Sequence, residues 1–270
     1  GVFVSGELGD ARITSNGGDV LVEGQGGGTA LSGNNFGVWL WQGGVITSGA
    51  TGSVTVEGNG GHSETLGDHG VLLSDQSDDG RRSTITSGGG VLTVTGTGGT
   101  GVSSVCVGVD AGGLIRGPVD LDTIIVGQGG AIGNGVFVLR EKDGVKSTIG
   151  SLGGDIRIEA TGAGNQRSGL YMADNGQIQS EGDLTIVGFP SPDEASFGLF
   201  VDGNTGTAIS ASGQILIDAS IGMWDVANDF SATTVAWGGG VWVARINGPA
   251  PGSQYDQLDI EGTVELGGLD

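Results

Sequence analysis

Residues 37–58 read Gly37-Val-Trp-Leu-Trp-Gln-Gly-Gly-Val-Ile-Thr-Ser-Gly-Ala-Thr-Gly-Ser-Val-Thr-Val-Glu-Gly58. An apolar alternation (Val38, Leu40), one isoleucine (Ile46) and a second alternation (Val54, Val56) are separated here by Gly/Ser turns, the pattern of three short strands that each turn one face to a core. The unit recurs along the chain. Its opening alternation returns as Val2/Val4, Val71/Leu73, Val105/Val107, Val136/Val138, Leu170/Met172, Leu199/Val201 and Val241/Val243. The intervals run from 29 to 42 residues, with a mean of about 34, a period characteristic of repeat architectures. The isoleucine returns as Ile13, Ile85, Ile115, Ile149, Ile178, Ile209 and Ile246, each followed two positions later by Ser, Gly or Ala. The closing alternation returns as Val20/Val22, Leu92/Val94, Ile156/Ile158, Leu184/Ile186, Ile215/Ile217 and Leu258/Ile260, with Thr123–Val126 a weaker copy.

No single unit of this size can bury its own apolar face, whereas stacked copies form continuous columns. Helical repeats of similar period need 3.6-residue periodicity, which is absent, and a propeller blade needs four strands. The expected fold is therefore all-β: a parallel β-helix solenoid of about eight three-stranded coils, right-handed by the general preference of parallel crossovers. It occupies 1–270 as a single solenoid, a segment of a longer repeat protein. The longest interval, before Val241, is read as an irregular insertion at 220–240.

The composition agrees. Glycine fills 60 of 270 positions, too many for helices, and with only 5 prolines and no Gly-X-Y period the chain is not collagen. Hydrophobic residues, at 36% and regularly clustered, exclude generic disorder. Ten Lys and Arg against 31 Asp and Glu give a net charge of −21, which repels phosphate backbones and anionic lipid. Neither nucleic acid nor membrane insertion is expected. Cys106 is the sole cysteine and can form no internal disulfide.

If Val2 and Val4 face inward, strand alternation turns Phe3 outward. The same register gives an outward column of Phe3, Trp39, Leu72, Cys106, Phe137, Tyr171, Phe200 and Trp242. Three readings stay open: cross-coil stacking that stabilises one face, a slip that places the rings inside, or an exposed stripe for sugar rings or a partner. Glu23, Glu57, Glu159, Asp218 and Glu261 form a carboxylate row after the third strand. Glu23 beside Glu57, and Asp218 beside Glu261, would lie one coil rise apart, a distance a calcium ion could bridge; a solvated acidic edge is the plainer reading. Asp75, Asp78 and Asp79 next to Arg81 and Arg82 point to a solvated loop, and His62 and His69 to one exposed turn. No Gly-x-Ser-x-Gly, His-Glu-x-x-His, P-loop or Cys-x-x-Cys occurs, so no catalytic residue is assigned and no enzyme is expected.

The tandem Gly-Val-x-Val, Ile-Thr-Ser-x-Gly-Gly and Val-x-Val-x-Gly units resemble those of large bacterial surface proteins of the filamentous-haemagglutinin and autotransporter-adhesin type. The closing segment Tyr255–Gly268 resembles one frequent near the ends of autotransporter-like passenger domains. The resemblance implies a secreted or surface-anchored bacterial rod and carries over no catalytic residue. The function expected is a non-catalytic structural or adhesive rod, extracellular or at the cell surface, which meets flanking repeats or assembles end to end and meets glycans or a receptor. A polysaccharide-binding or polysaccharide-cleaving β-helix is the alternative.

Overall fold

In the computed structural model the described residues are 1–219 except 66, 76–79, 165–166, 193–195 and 203–206, and, beyond 219, the backbone of the strands at 221–224, 227–231, 234–239, 242–243, 257–259 and 263–266. They form a parallel β-solenoid with three faces. Each face is a nine-stranded sheet in which every strand pairs with its counterpart one coil away. Sheet 1 holds Val2–Ser5, Val38–Trp41, Val71–Ser74, Val107–Asp110, Val136–Leu139, Leu170–Ala173, Leu199–Asp202, Ile221–Trp224 and Trp242–Val243. Sheet 2 opens with Arg12–Thr14 and includes Leu114–Arg116, Thr148–Gly150 and Gln177–Ser180. Sheet 3 opens with Val20–Gln25 and includes Thr123–Gln128.

The core is built of columns. Ile46, Ile85, Ile115, Ile149, Ile178 and Ile209 stack in register on sheet 2 and are buried. The paired rows of sheets 1 and 3 complete a single apolar cluster. Each buried Val, Ile or Leu side chain contributes about 1.5–3 kcal/mol relative to leaving it in water, and in a solenoid these contributions add between neighbouring coils. Between sheets 3 and 1 the chain turns so tightly that backbone meets backbone. A Cβ on Gly58 would collide with the Gly70 carbonyl, which explains the glycine at this corner position in Gly24, Gly58, Gly96, Gly127 and Gly188; Ala160 and Ala219 take it in two other coils.

The weak copy at Thr123–Val126 has a local cause. Thr123 occupies the buried row of Leu92 and Ile156, and in the same coil the small residue after the isoleucine is Gly117, whose missing Cβ leaves the space that the Thr123 hydroxyl fills. Two departures from the repeat thus compensate each other.

Three corners between sheets 1 and 2 share one construction. Coils 2, 4 and 6 turn on consecutive left-handed residues: Gln42 and Gly43 (φ 47° and 86°), Ala111 and Gly112 (49° and 89°), and Asp174 and Asn175 (50° and 72°). The next coil's corner closes over each of these. Ser83 Oγ accepts the Gly43 N–H at 3.3 Å, Ser147 Oγ the Gly112 N–H at 3.0 Å, and Thr207 Oγ1 the Asn175 N–H at 3.2 Å. In coil 5 the long corner carries a small antiparallel hairpin, Glu141–Lys142 with Val145–Lys146.

Sequence and structure part in three places. The solenoid has nine coils rather than eight, because residues 220–240, expected to be an irregular insertion, carry strand backbone at Ile221–Trp224, Ala227–Ser231 and Thr234–Gly239 that continues all three sheets. Phe230 takes the isoleucine register there, pairing with Ile209, so the isoleucine row misses this coil. Leu258 lies in sheet 2 and pairs with Asn228, while Thr263–Leu266 supplies sheet 3; Ile246 lies outside the described residues. In coil 4 the sheet 1 strand is Val107–Asp110, two residues later than the Val105/Val107 reading. Gly108, not Cys106, pairs with Leu72 and Phe137.

Candidate functional site

The aromatic column of sheet 1 is outward, as the alternation requires, but most of it is covered. Phe3 is 57% exposed at the first coil, whereas Leu72 and Phe137 are buried at 9% each. Trp39, Tyr171 and Phe200 are half-buried. The cover comes from residues just before each sheet 1 strand: Phe36 packs on Trp39 with ring centroids 4.7 Å apart and stacks on His69 at 5.2 Å. Phe3 meets Trp39 at 4.7 Å, and Tyr171 stacks on Phe200 at 5.6 Å. Gly108 leaves a gap that Leu72 and Phe137 enter from either side, since a Cβ there would lie 2.8 Å from both. Together with Val105, Leu72 and Phe137 form a second apolar cluster outside the solenoid wall. Cross-coil stacking is therefore what this column does. Trp242 pairs with Ile221, which pairs with Leu199, so its register is that of the inward row and not of Phe3.

Beside this cluster the turn before sheet 1 holds a polar node that the sequence did not reveal. Asp68 is buried and its carboxylate accepts from Asn35 N–H (3.2 Å), Asn35 Nδ2 (2.8 Å), Ser63 Oγ (2.6 Å) and Gly101 N–H (3.0 Å). One side chain thus ties the loops of coils 1, 2 and 3 together. Burial works against its charge, but the hydrogen bonds outweigh burial and hold its carboxyl below the ordinary value of 3.8. Next to it, His69 accepts the Val105 N–H at Nδ1, at 2.9 Å. Burial pushes its pKa down to about 4, against the pull of Asp68 and Asp110. His69 is a neutral packing residue, not part of an exposed pair; His62 alone faces solvent.

Among the described residues the expected adjacency in the carboxylate row is seen for one pair. Glu23 and Glu57 are exposed register partners, but the row then runs through Thr95 and Val126 before Glu159. Asp218 has Gly239 as its partner in the next coil, and Glu261, expected there, lies outside the described residues. Among the described residues no group of three or more His, Cys, Asp or Glu gathers as a metal site.

Several of the remaining charged and nucleophilic groups serve the scaffold. Arg82, expected in a solvated loop, reaches across two coils and donates to the carbonyls of Gly112 (2.7 Å), Gly113 (3.0 Å) and Lys146 (2.6 Å); of its acidic neighbours Asp75 is buried, and Asp78 and Asp79 lie outside the described residues. Arg140 pairs with the buried Asp110 through Nε, to Oδ1 at 2.7 Å, and through Nη2, to Oδ2. Cys106 stands where neighbouring coils have Gly70 and Gly135, as the ladder bonds of Val71 and Val107 show. Its thiol donates to the Gln128 carbonyl at 2.7 Å, and burial pushes its pKa up to about 12, so it is no nucleophile at neutral pH. Comparison with known family models, curated proteins and solved structures finds no match to this chain.

Proposed function

We propose that the chain is a non-catalytic structural or adhesive rod of a bacterial surface or filament protein, displayed outside the cell. The observation that carries this reading is the use made of the chemically capable side chains: Asp68, His69, Arg82 and the Asp110–Arg140 pair each bind one coil or corner to the next. Side chains so engaged stiffen a rod and are poorly placed to turn over a substrate. End-to-end contact with flanking coils or a second copy belongs to the same proposal, because the backbone edge of a parallel solenoid coil is a template for further pairing. The net charge of −21 opposes such contact at low salt and less so when screened.

The test has two readouts. Incubation with a panel of acidic and neutral polysaccharides should release neither reducing nor unsaturated ends, and light scattering with negative-stain microscopy should show elongated particles that lengthen as salt rises. Reproducible release of such ends, or a globular particle of fixed size with no elongation, would overturn the reading. A polysaccharide-binding role is favoured by one specific surface, developed next.

A further inference from the structure

Among the described residues the cationic side chains are unevenly placed. Arg82, Arg116 and Lys146 line one groove of about 450 Å³ on the outer face of sheet 2, where Glu181 is the single carboxylate. That volume lies within the usual range for a small-molecule site. The floor comes from coils 4, 5 and 6. Leu114, Thr148 and Gln177 form one register row, and Arg116, Gly150 and Gln179 the next. The hairpin Glu141–Lys142/Val145–Lys146 forms one wall.

Two features mark the groove as built for a ligand. Three cations outside the groove carry carboxylate partners, Arg140 on Asp110, Lys142 on Asp143 and Arg157 on Glu159, while Arg167 donates to the Ser103 hydroxyl at 3.0 Å. Arg82 has neutral carbonyl partners instead, and its charge is disfavoured first by burial and then by Arg116, with Asp75 a partial offset. Arg116 is exposed, and among the described residues no hydrogen bond or ion pair holds it. Two guanidinium groups near enough to repel, in a groove lined by one carboxylate, leave a field that a bound anion would satisfy. The second feature is shape. Gly150 lies between Arg116 and Gln179 in register, and a Cβ there would meet only ordinary contacts, 3.5 Å from the Gln179 carbonyl oxygen and 3.7 Å from Thr148 Cγ2. The fold does not require glycine at that position; its effect is a notch in the floor. Gln179 Nε2 donates to Gln177 Oε1 at 3.0 Å, which fixes both amides and leaves Gln177 Nε2 and Gln179 Oε1 for a ligand's hydroxyls.

We propose that this groove binds a carboxylate-bearing sugar residue of the uronic-acid type within an acidic glycan. Arg116 takes the carboxylate, aided by the charge of Lys146; the two glutamines take hydroxyls, and the notch at Gly150 seats the ring. The net charge of −21 selects against long polyanions, while its repulsion is screened within roughly 8 Å at physiological salt. One uronate among neutral sugars therefore fits better than a polyuronate. The inference supplies a ligand for the adhesive reading and rests on it.

The test is a binding titration, by calorimetry and by amide chemical shifts, with aldotetraouronic acid (one glucuronate on a neutral xylo-oligosaccharide), and with xylotetraose, inorganic sulfate and a short acidic peptide as comparisons. The account expects saturable binding of the uronate oligosaccharide, with shifts at 114–116, 148–150 and 177–179, and at least tenfold weaker binding of every comparison. Arg116→Gln and Gly150→Ala should each weaken the uronate at least tenfold without lowering the thermal midpoint, because the Arg116 side chain is exposed and a Cβ at Gly150 meets only ordinary contacts. No saturable binding, equal binding of xylotetraose, sulfate or the peptide, or indifference to either variant would overturn the proposal. Absence of both binding and turnover would remove the groove's assignment and leave the rod; release of reducing ends would remove the rod reading itself.

Discussion

Lowering the pH from 7 to 4 should destabilise the first coils through a single ring. His69 stacks on Phe36 at 5.2 Å, meets the edge of Phe137 at 6.5 Å and accepts the Val105 N–H. Its ring is neutral in the fold, since burial moves its pKa from 6.5 to about 4. In the unfolded chain the proton binds near pH 6.5, so between 6.5 and 4 the unfolded state holds more protons and stability falls as the pH falls. The contribution is complete above pH 6.5. A shift of this size corresponds to about 3 kcal/mol at about 1.4 kcal/mol per pKa unit. The assay is a urea series from pH 7.5 to 4 on the parent and on His69→Asn, whose side-chain carbonyl can still accept the Val105 N–H but does not titrate. The variant should be the less stable at pH 7, through lost ring packing, and the gap should narrow by about 3 kcal/mol towards pH 4. Parallel profiles would refute the reasoning, because every other titrating group is common to both proteins.

Asp68→Asn should cost about 1–3 kcal/mol at pH 7, because an amide cannot accept from Asn35, Ser63 and Gly101 together and leaves a buried donor unpaired; it should also weaken acid sensitivity, since the folded pKa of Asp68 is lowered and its stabilisation is present above the unfolded value and lost as pH falls through the folded one. Thermal melts across pH 2–7 measure both. Ile115→Asp places an unpaired charge in the middle of the isoleucine column, where the parent side chain is 0% exposed. The cost should be about 4 kcal/mol or more, read as loss of the strand signal in circular dichroism or a large drop in midpoint; an unchanged midpoint contradicts the column. Cys106, with its thiol pushed up to about 12, should resist iodoacetamide at pH 8 in the folded protein and react on unfolding, as mass spectrometry would show.

What could be read from sequence was the periodic part. Inward rows such as Val38, Leu40 and Ile46 announce themselves because a two-residue alternation recurring once per coil admits few other folds. What escaped were features that obey no period. Phe230 stands in for an isoleucine, so the eighth coil hid inside an apparent insertion. Gly108 occupies an outward position where neighbouring coils have Leu72 and Phe137, which drew the alignment two residues upstream to Cys106. The aromatic column was legible as a face but its cover was not, because Phe36 and His69 lie in corners of variable length. Asp68 makes its hydrogen bonds to Asn35 and Gly101, each 33 residues away in sequence, and only the coil geometry brings them together. The groove depends likewise on Arg82 reaching Lys146 across 64 residues.

Spin-label distances along one outward row test the solenoid most directly. Thr14, Thr47, Thr86, Arg116, Gly150, Gln179 and Ser210 are successive register partners on sheet 2, and each coil should add roughly 4.8 Å. Labels at Thr86→Cys and Ser210→Cys, four coils apart, should lie about 19 Å from each other, and labels at Thr14→Cys and Ser210→Cys, six coils apart, about 29 Å. The account predicts that increment of about 10 Å between the two pairs; a Thr14–Ser210 distance equal to or shorter than the Thr86–Ser210 distance would contradict a stacked rod.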